Sequence, residues 1–202
     1  MAGEVDIVNR ALTKLGQDRI MTLKDGVKSA QVAASLYETV RDAEIQRHPW
    51  HFAKKRDILS ALASPPAFGW ARQYLLPSDC LRVLRLAGGP FVDFTDFHQG
   101  EGQEWTIEGR NLLTNHGPPL HLLYLCREAD PTLYPPAFVE VLACKLAVEM
   151  AETLTGKNNK REAAWKEYEM ALREAKRVNA MQLPAQAIDG DSWPLSYMLG
   201  GS

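Results

Sequence analysis

The segment from Leu36 to Leu59, LYETVRDAEIQRHPWHFAKKRDIL, constrains the fold more than any other part of the chain. Its first half has the pattern of a charged amphipathic helix. Pro49 ends that helix, because the residue before a proline, here His48, is pushed out of the helical region. Trp50 and Phe52 follow directly, and each such ring buries about 150–250 Å² when it packs. We therefore predict that Trp50 and Phe52 form a structural joint between a helical part and a β-rich part.

Apolar residues recur at helical spacing in four segments, which predicts helices at 4–15, 29–47, 138–154 and 160–181. The third segment is apolar on nearly all sides, as is typical of a central, buried helix. A short turn at Gly156 separates the last two helices, so we expect them to be antiparallel. The predicted apolar face of the last helix consists of Trp165, Tyr168, Leu172, Ala175 and Val178.

The predicted helix 29–47 has two different faces. One is a stripe that begins with small alanines, which permit close approach to another helix. The other carries the charged residues Glu38, Arg41, Asp42 and Arg47. A charged face of this kind is usually solvated, and the alternative is a contact with another subunit.

Short strands and turns are predicted between Trp50 and Arg127. The segment Leu81–Leu86 alternates as a half-buried strand does, and another strand is predicted at Phe91–Phe97. Gly109-Arg110-Asn111 lies between two apolar runs and predicts a hairpin turn. Five to seven short strands in this region predict a small antiparallel sheet or barrel.

These elements together predict an α+β protein. It would consist of an antiparallel bundle of about four helices, an inserted small antiparallel β domain and an extended C-terminal tail. The predicted boundaries are 1–49 and 132–183 for the helical bundle, 50–131 for the β-rich insertion and 184–202 for the tail.

The C-terminal tail, 184–202, differs in composition from the rest of the chain. Proline and glycine disfavour regular structure there, yet the tail is richer in apolar residues than a disordered segment usually is. We predict that it docks, either on its own body or on a partner. The residues predicted to make that contact are Ile188, Trp193, Leu195, Tyr197, Met198 and Leu199.

Composition and charge exclude some classes of protein. The hydrophobic content is 46% and the charged content 24%, as in ordinary soluble domains. The net charge of −2 argues against a sequence-specific DNA-binding module. Cys80, Cys126 and Cys144 lie far apart without a CxxC spacing, which predicts reduced thiols in a cytosol-like compartment. No signal peptide or membrane-spanning segment is predicted.

No constellation of residues predicts catalysis, cofactor binding or a metal site. The chain lacks GxSxG, Walker and GxGxxG motifs. Proline breaks the HxxH spacing of His48 and His51, and the Lys54-Lys55-Arg56 run is too short to bind nucleic acid by itself. The remaining candidates are ordinary turn or surface residues, namely Asp93, Asp96, His98, Glu101, His116, His121 and Asp189-Gly190-Asp191.

The order of several motifs resembles the tail tubular protein A family, the head-to-tail adaptors (gatekeepers) of short-tailed bacteriophages. The similar features include an early helix that ends in Leu-Gly, an Ile-x-x-Leu loop and a helix with Arg-Asp near its end. A Trp-x-Phe-Ala exit follows. The further similar segments are WARQYLLPSDCLRVLRL, WTIEGRNLLTN and LYPPAFVEVLACKLAVEMAETLTG, then a long charged helix and a tail that contains Asp-Gly-Asp. The likeness covers nearly the whole chain.

This resemblance implies a structural virion protein without a cofactor or enzymatic turnover. Family members form a ring, commonly of twelve copies, between the portal protein and the tail nozzle protein, with tail fibres as a further contact. Double-stranded DNA passes through the channel without sequence-specific binding, and no membrane is involved. The implied location is the neck of the virion, assembled in the host bacterial cytoplasm. The alternative hypothesis is a small nucleic-acid-binding or metal-dependent phage protein.

Overall fold

The computed structural model describes residues 3–88 and 105–182 of the 202-residue chain. This part contains four α-helices and six strands, which confirms the predicted α+β class. Short 3-10 turns lie at His51–Ala53 and Pro131–Leu133. The elements are α1 (Glu4–Leu15), α2 (Lys28–Arg47), β1 (Lys54–Leu59), β2 (Arg72–Leu75), β3 (Cys80–Gly88), β4 (Trp105–Glu108), β5 (Asn111–Thr114), β6 (Leu120–Cys126), α3 (Pro136–Thr155) and α4 (Asn158–Met181).

Local sequence signals explain where the helices begin and end. The backbone of α2 becomes extended at His48, with φ −137° and ψ 144°, as the following proline requires. Pro136 is the first residue of α3, where its missing N–H costs no helical hydrogen bond. Helices α1 and α3 both end at a glycine in the left-handed region, Gly16 at φ 71° and Gly156 at φ 62°.

Helix α3 lies at the centre of the bundle, and its apolar side chains are buried on most sides. Helices α1, α2 and α4 pack against it. Helix α4 runs antiparallel to α3, because Arg161 near its start pairs with Glu152 near the end of α3. Two turns farther along α4, the Tyr168 ring packs against the amine of Lys145, which lies two turns earlier on α3. Each helix in the described part of the chain lacks the combined length and apolarity needed to cross a membrane.

The six described strands form two antiparallel sheets of three strands each. The first sheet has the order β1-β6-β3 and the second the order β2-β5-β4. The predicted hairpin joins β4 to β5 through Gly109 and Arg110, and Gly109 takes the positive φ of 61° that the tight turn needs. The strand predicted at Phe91–Phe97 lies outside the described residues.

Strand β6 contributes to both hydrophobic clusters of the molecule. Leu120, Leu122, Tyr124 and Cys126 belong to the cluster between the sheets, whereas Leu125 belongs to the helical cluster. Side chains alternate between the faces of a strand, so neighbouring residues of β6 serve different cores. The first sheet therefore lies between the helices and the second sheet.

The prediction of simple alternation in Leu81–Leu86 is wrong. Two register shifts interrupt the pairing of β3 with β6, and each places two β3 residues opposite one β6 residue. As a result, Leu81 and Leu84 both pack against the helical cluster, while Val83 and Leu86 enter the cluster between the sheets. The bulges thus replace a period of two with a period of three.

Candidate functional site: the helix–sheet junction and its basic face

Trp50 and Phe52 lie where α2, α3 and the first sheet meet. Trp50 is 2% exposed, and its indole N–H donates a hydrogen bond of 2.9 Å to the backbone oxygen of Glu44. Its ring packs edge-on against Phe138, with 5.2 Å between the centroids. The centroid of the Phe52 ring lies 4.8 Å from that of Phe138 and 5.4 Å from that of Tyr134. These rings tie the end of α2 to α3.

The last turn of α4 attaches to the same junction through Asn179. Its side-chain oxygen accepts a 3.0 Å hydrogen bond from the backbone N–H of His51. Its side-chain nitrogen lies 3.2 Å from Nε2 of His48. Asn179 thus connects α4 to the residues on both sides of Pro49.

A buried carboxylate, Glu44, lies beneath the junction and is 2% exposed. The Tyr168 hydroxyl lies 2.9 and 3.0 Å from its two oxygens, and Arg47 contacts both groups. Burial raises the pKa of Glu44, and the hydrogen bond from Tyr168 and the charge of Arg47 oppose that rise. Because it is enclosed by protein groups, the Glu44 carboxylate links α2 to α4 and is not placed to meet a substrate.

The predicted charged face of α2 is partly wrong, because Arg41 is only 4% exposed. Its guanidinium lies 2.8 Å from Asp42. Arg127, at the end of β6, approaches the other oxygen of Asp42 at 2.6 Å. An arginine can be buried when its charge is paired in this way. Asp42 therefore bridges a buried and a surface arginine and ties α2 to the sheet.

Four basic residues lie on the face of the first sheet that is turned toward the helices. The register aligns Lys54 and Arg82 on either side of Leu125. It likewise aligns Arg56 and Arg85 on either side of Leu123. Residues that are aligned across neighbouring strands share a face. We call Lys54, Arg56, Arg82 and Arg85 the basic face.

The cations of the basic face are close enough to influence one another. Burial lowers the pKa of Lys54, and the charges of Arg85 and Arg56 lower it further. Arg82 donates a 2.9 Å hydrogen bond to the backbone oxygen of Gln46, and Arg56 and Arg85 also have partners. A concentration of positive charge of this kind can attract phosphate groups without reading sequence.

The basic face also affects the two junction histidines. Burial lowers the pKa of His48, and Lys176, Arg82 and Lys54 lower it further. Burial, then Lys54, lowers the pKa of His51, whose Nδ1 lies 3.4 Å from the Lys54 amine. Both effects favour neutral imidazoles at physiological pH.

The structure separates the predicted basic run into two surfaces. Lys55 points away from Lys54 and Arg56 and forms a 2.8 Å ion pair with Asp79. Tyr124 donates a second hydrogen bond, of 3.1 Å, to the same carboxylate. The nucleic-acid hypothesis therefore keeps Lys54 and Arg56 from the run and gains Arg82 and Arg85 from β3.

The other candidate residues are not brought together as a site. His116 and His121 are half-buried, in and beside the strands of different sheets. Within 3–88 and 105–182, no three His, Cys, Asp or Glu side chains are grouped as metal ligands. Several candidates lie outside the described residues: Asp93, Asp96, His98, Glu101, Asp189-Gly190-Asp191 and the predicted docking residues Ile188, Trp193, Leu195, Tyr197, Met198 and Leu199.

The basic face was not predicted from the sequence, because its register pairs strands that are distant along the chain. A signal is nonetheless present in the repeated Leu-Arg pairs of CLRVLRL, whose period of three suits a bulged strand. Trp165 was predicted on the apolar face of α4, but it lies at the edge of that face beside Tyr168 and is 42% exposed. Its ring is covered on one side by the Lys145 amine, 5.5 Å from the ring centroid.

The fold and this surface define an α+β protein with a basic sheet face beside a helical bundle. No model of a known protein family matches the chain, and no curated protein is significantly similar to it.

Proposed function

We propose that this protein is a head-to-tail adaptor of a short-tailed bacteriophage. In this role it forms a ring, commonly of twelve copies, between the portal protein and the tail nozzle and extends the DNA channel. The protein is a structural component of the virion neck and is assembled in the host cytoplasm. It carries out no catalytic turnover, and DNA passes through the ring without sequence-specific recognition.

One observation carries this proposal: the similar motifs occur in the order that the family has, across nearly the whole chain. The α+β fold agrees with the architecture that the resemblance implies, because along the chain the strands lie between a first and a second pair of helices. The Trp-x-Phe-Ala exit corresponds to the junction at Trp50 and Phe52, and the WTIEGRNLLTN segment corresponds to the β4–β5 hairpin. The motifs are thus packing and turn residues of this fold.

The surface of α4 supports the proposed assembly into a ring. This helix has 24 residues, of which only Ala164, Tyr168 and Ala175 are buried. Trp165 and Met170 are 42% and 61% exposed among charged neighbours. Exposed aromatic and methionine side chains surrounded by polar residues are typical of protein–protein contacts. We assign this outer surface of α4 to the contact between neighbouring copies.

The adaptor proposal is tested by measuring the mass of the full chain by light scattering, alone and with its cognate portal ring. A large complex that forms only with the portal supports an adaptor whose assembly is templated. A ring formed without the portal supports an adaptor that assembles by itself. A monomer that does not bind the portal ring contradicts the proposal.

A truncated chain without residues 184–202 tests the predicted docking tail. We expect it to remain folded and to join portal rings poorly, since the tail supplies apolar docking residues. The matched control replaces the same residues with a glycine–serine segment of equal length, which keeps chain length and removes the apolar side chains. Normal portal attachment by both variants would contradict the role of Ile188, Trp193 and their neighbours.

The basic face favours a second candidate function, that of a small nucleic-acid-binding protein. Fluorescence anisotropy with duplex DNA at several salt concentrations separates it from the adaptor. Under this alternative, submicromolar affinity falls steeply with salt, because phosphate binding releases counterions. The Arg82→Ala/Arg85→Ala variant would then bind weakly. Lys24→Ala is the control, because Lys24 lies before α2, at the end of that helix far from the junction.

A further inference from the structure

Two of the three cysteines face each other across the first sheet, although their separation in sequence gave no reason to pair them. Cys80 opens β3 and Cys126 closes β6, and the register places them directly opposite. Both are free thiols. Both side chains belong to the cluster between the sheets, so they point to the same side. The third cysteine, Cys144, lies in the helical cluster.

The hydrogen bonds around this pair bring the two residues as close as an antiparallel sheet allows. The next pair of residues is joined by a 2.6 Å bond from the Arg127 N–H to the Asp79 oxygen. The Cys80 N–H instead donates to Pro77, which directs it away from β6. Cys80 and Cys126 are therefore a non-hydrogen-bonded pair, for which the Cα separation is about 4.5 Å. A disulfide needs about 4.4–6.8 Å between Cα atoms.

We propose that Cys80 and Cys126 are an oxidative modification site that closes into a disulfide between β3 and β6. The co-reactant is a small disulfide such as oxidised glutathione. The Cys80 thiolate attacks one sulfur of that disulfide, forms a mixed disulfide and releases one small thiol. The Cys126 thiolate then attacks the Cys80 sulfur and releases the second thiol. Both protein thiols lose their protons, and the small disulfide is reduced to two thiols.

Accessibility and reactivity determine how this site behaves. Cys80 is half-buried and Cys126 is buried, so the first attack belongs to Cys80. Burial raises the pKa of Cys80 to about 11, with a contribution from Asp79, and burial also raises the pKa of Cys126. Little thiolate is present at neutral pH, so closure is slow and accelerates as the pH rises.

Closure has a measurable effect on stability. The disulfide would enclose the chain from Cys80 to Cys126 and connect an edge strand of the sheet to its central strand. A crosslink over a loop of this length restricts the unfolded chain. We expect the midpoint of thermal unfolding to rise by about 5–10 °C on oxidation and to return on reduction.

The test uses the full chain with Cys144→Ala, which leaves only the proposed pair. The folded protein is incubated with oxidised glutathione at pH 8.5, free thiols are alkylated, and the digest is analysed by mass spectrometry. We expect a peptide crosslinked between Cys80 and Cys126 and a mass lower by two hydrogen atoms. Cys80→Ala, which retains Cys126 and Cys144, serves as the matched control and yields no crosslink within the chain.

A second probe does not depend on oxidation. Phenylarsine oxide condenses with two adjacent thiols and releases one water, so we expect one arsenical per chain in Cys144→Ala and none in Cys80→Ala. Circular dichroism verifies that each variant is folded. The proposal is overturned if folded Cys144→Ala retains both thiols, stops at a glutathione adduct, or crosslinks only between chains.

Discussion

The helical cluster and the cluster between the sheets are stabilised by different kinds of hydrogen bonds. Of the four buried polar residues in the described part, Asn9, Arg41 and Glu44 lie in the helices and Thr114 lies in a sheet. Asn9 is held by two hydrogen bonds to the backbone of Ile20, of 2.8 and 2.9 Å. The helical part thus depends on specific polar partners, whereas the sheets rely mainly on their backbone ladders.

This difference indicates which substitutions each region tolerates. A buried polar group that loses its partner is destabilising, whereas apolar side chains of similar volume often replace one another at small cost. We therefore expect the junction and the helices to be the sensitive region and the sheet cluster to be the adaptable one. Four predictions probe the two regions, and a truncation that opens a cavity is expected to be costly in either of them.

The largest effect is expected for Trp50→Ala. This change removes a buried ring and its hydrogen bond to Glu44, which costs about 3–5 kcal/mol in the free energy of unfolding. Urea denaturation measures it. Phe68→Ala is the control, because Phe68 is 88% exposed and its loss should change stability by at most about 0.5 kcal/mol. A loss below about 1 kcal/mol for Trp50→Ala would show that the junction does not depend on this ring.

Leu125→Ala and Leu122→Ala compare the two clusters through the same strand. Each residue is at most 1% exposed, so each change should cost about 2–5 kcal/mol. Leu125 packs with the helices and Leu122 between the sheets. Because β6 contributes to both clusters, we expect the protein to unfold in a single transition, and each variant should shift it. Near-ultraviolet and far-ultraviolet circular dichroism should report the same transition. Two separated transitions would mean that the clusters unfold independently.

Glu44→Gln should change how stability depends on pH. Burial holds the Glu44 pKa above its ordinary value, so the folded protein binds this proton more tightly than the unfolded chain. The stability contribution of this group is therefore complete below the ordinary glutamate pKa and is lost as pH rises through the raised one. When the free energy of unfolding is measured by denaturation across that pH window, it should fall less steeply with rising pH in Glu44→Gln than in the parent protein. Glu174→Gln, at a side chain that is 57% exposed, should follow the parent protein.

The smallest effect is expected in the β4–β5 hairpin. Gly109→Ala forces a side chain into the left-handed region at φ 61° and should cost about 1–2 kcal/mol. Gly26→Ala is the matched control, because Gly26 lies in a loop with no atom within 4 Å of an added Cβ. Equal unfolding midpoints for the two variants would show that the hairpin tolerates a different turn.

Local signals predicted much of the fold, because their causes lie within a few residues. The helix end before Pro49, the hairpin at Gly109 and the stop at Gly156 each depend on the backbone preferences of one residue. The burial of Arg41 and the partner of Glu44 were not predictable in this way. Tyr168 of α4 bonds to Glu44, and Arg127 holds the Asp42 carboxylate that pairs with Arg41. Only the tertiary fold brings Tyr168 and Arg127 near α2.

The candidate site, too, was predicted only where its structural cause lies within a few residues of sequence. The positions of Trp50 and Phe52 after Pro49 indicated a junction, since large rings at such a corner have few places to pack. The basic face could not be deduced, because its two arginines on β3 depend on bulges and on pairing with β6. Periodicity alone placed Trp165 inward, whereas the contact of Tyr168 with Glu44 of α2 sets which side of α4 is buried.

The central position of β6 has a mechanical consequence. Six residue pairs join it to β1 and seven join it to β3, and Leu125 anchors it in the helical cluster. A pull along the strand loads both ladders in shear, so many hydrogen bonds share the force instead of opening one after another. Tension along β6 therefore reaches the helices through this strand before the sheet can unzip.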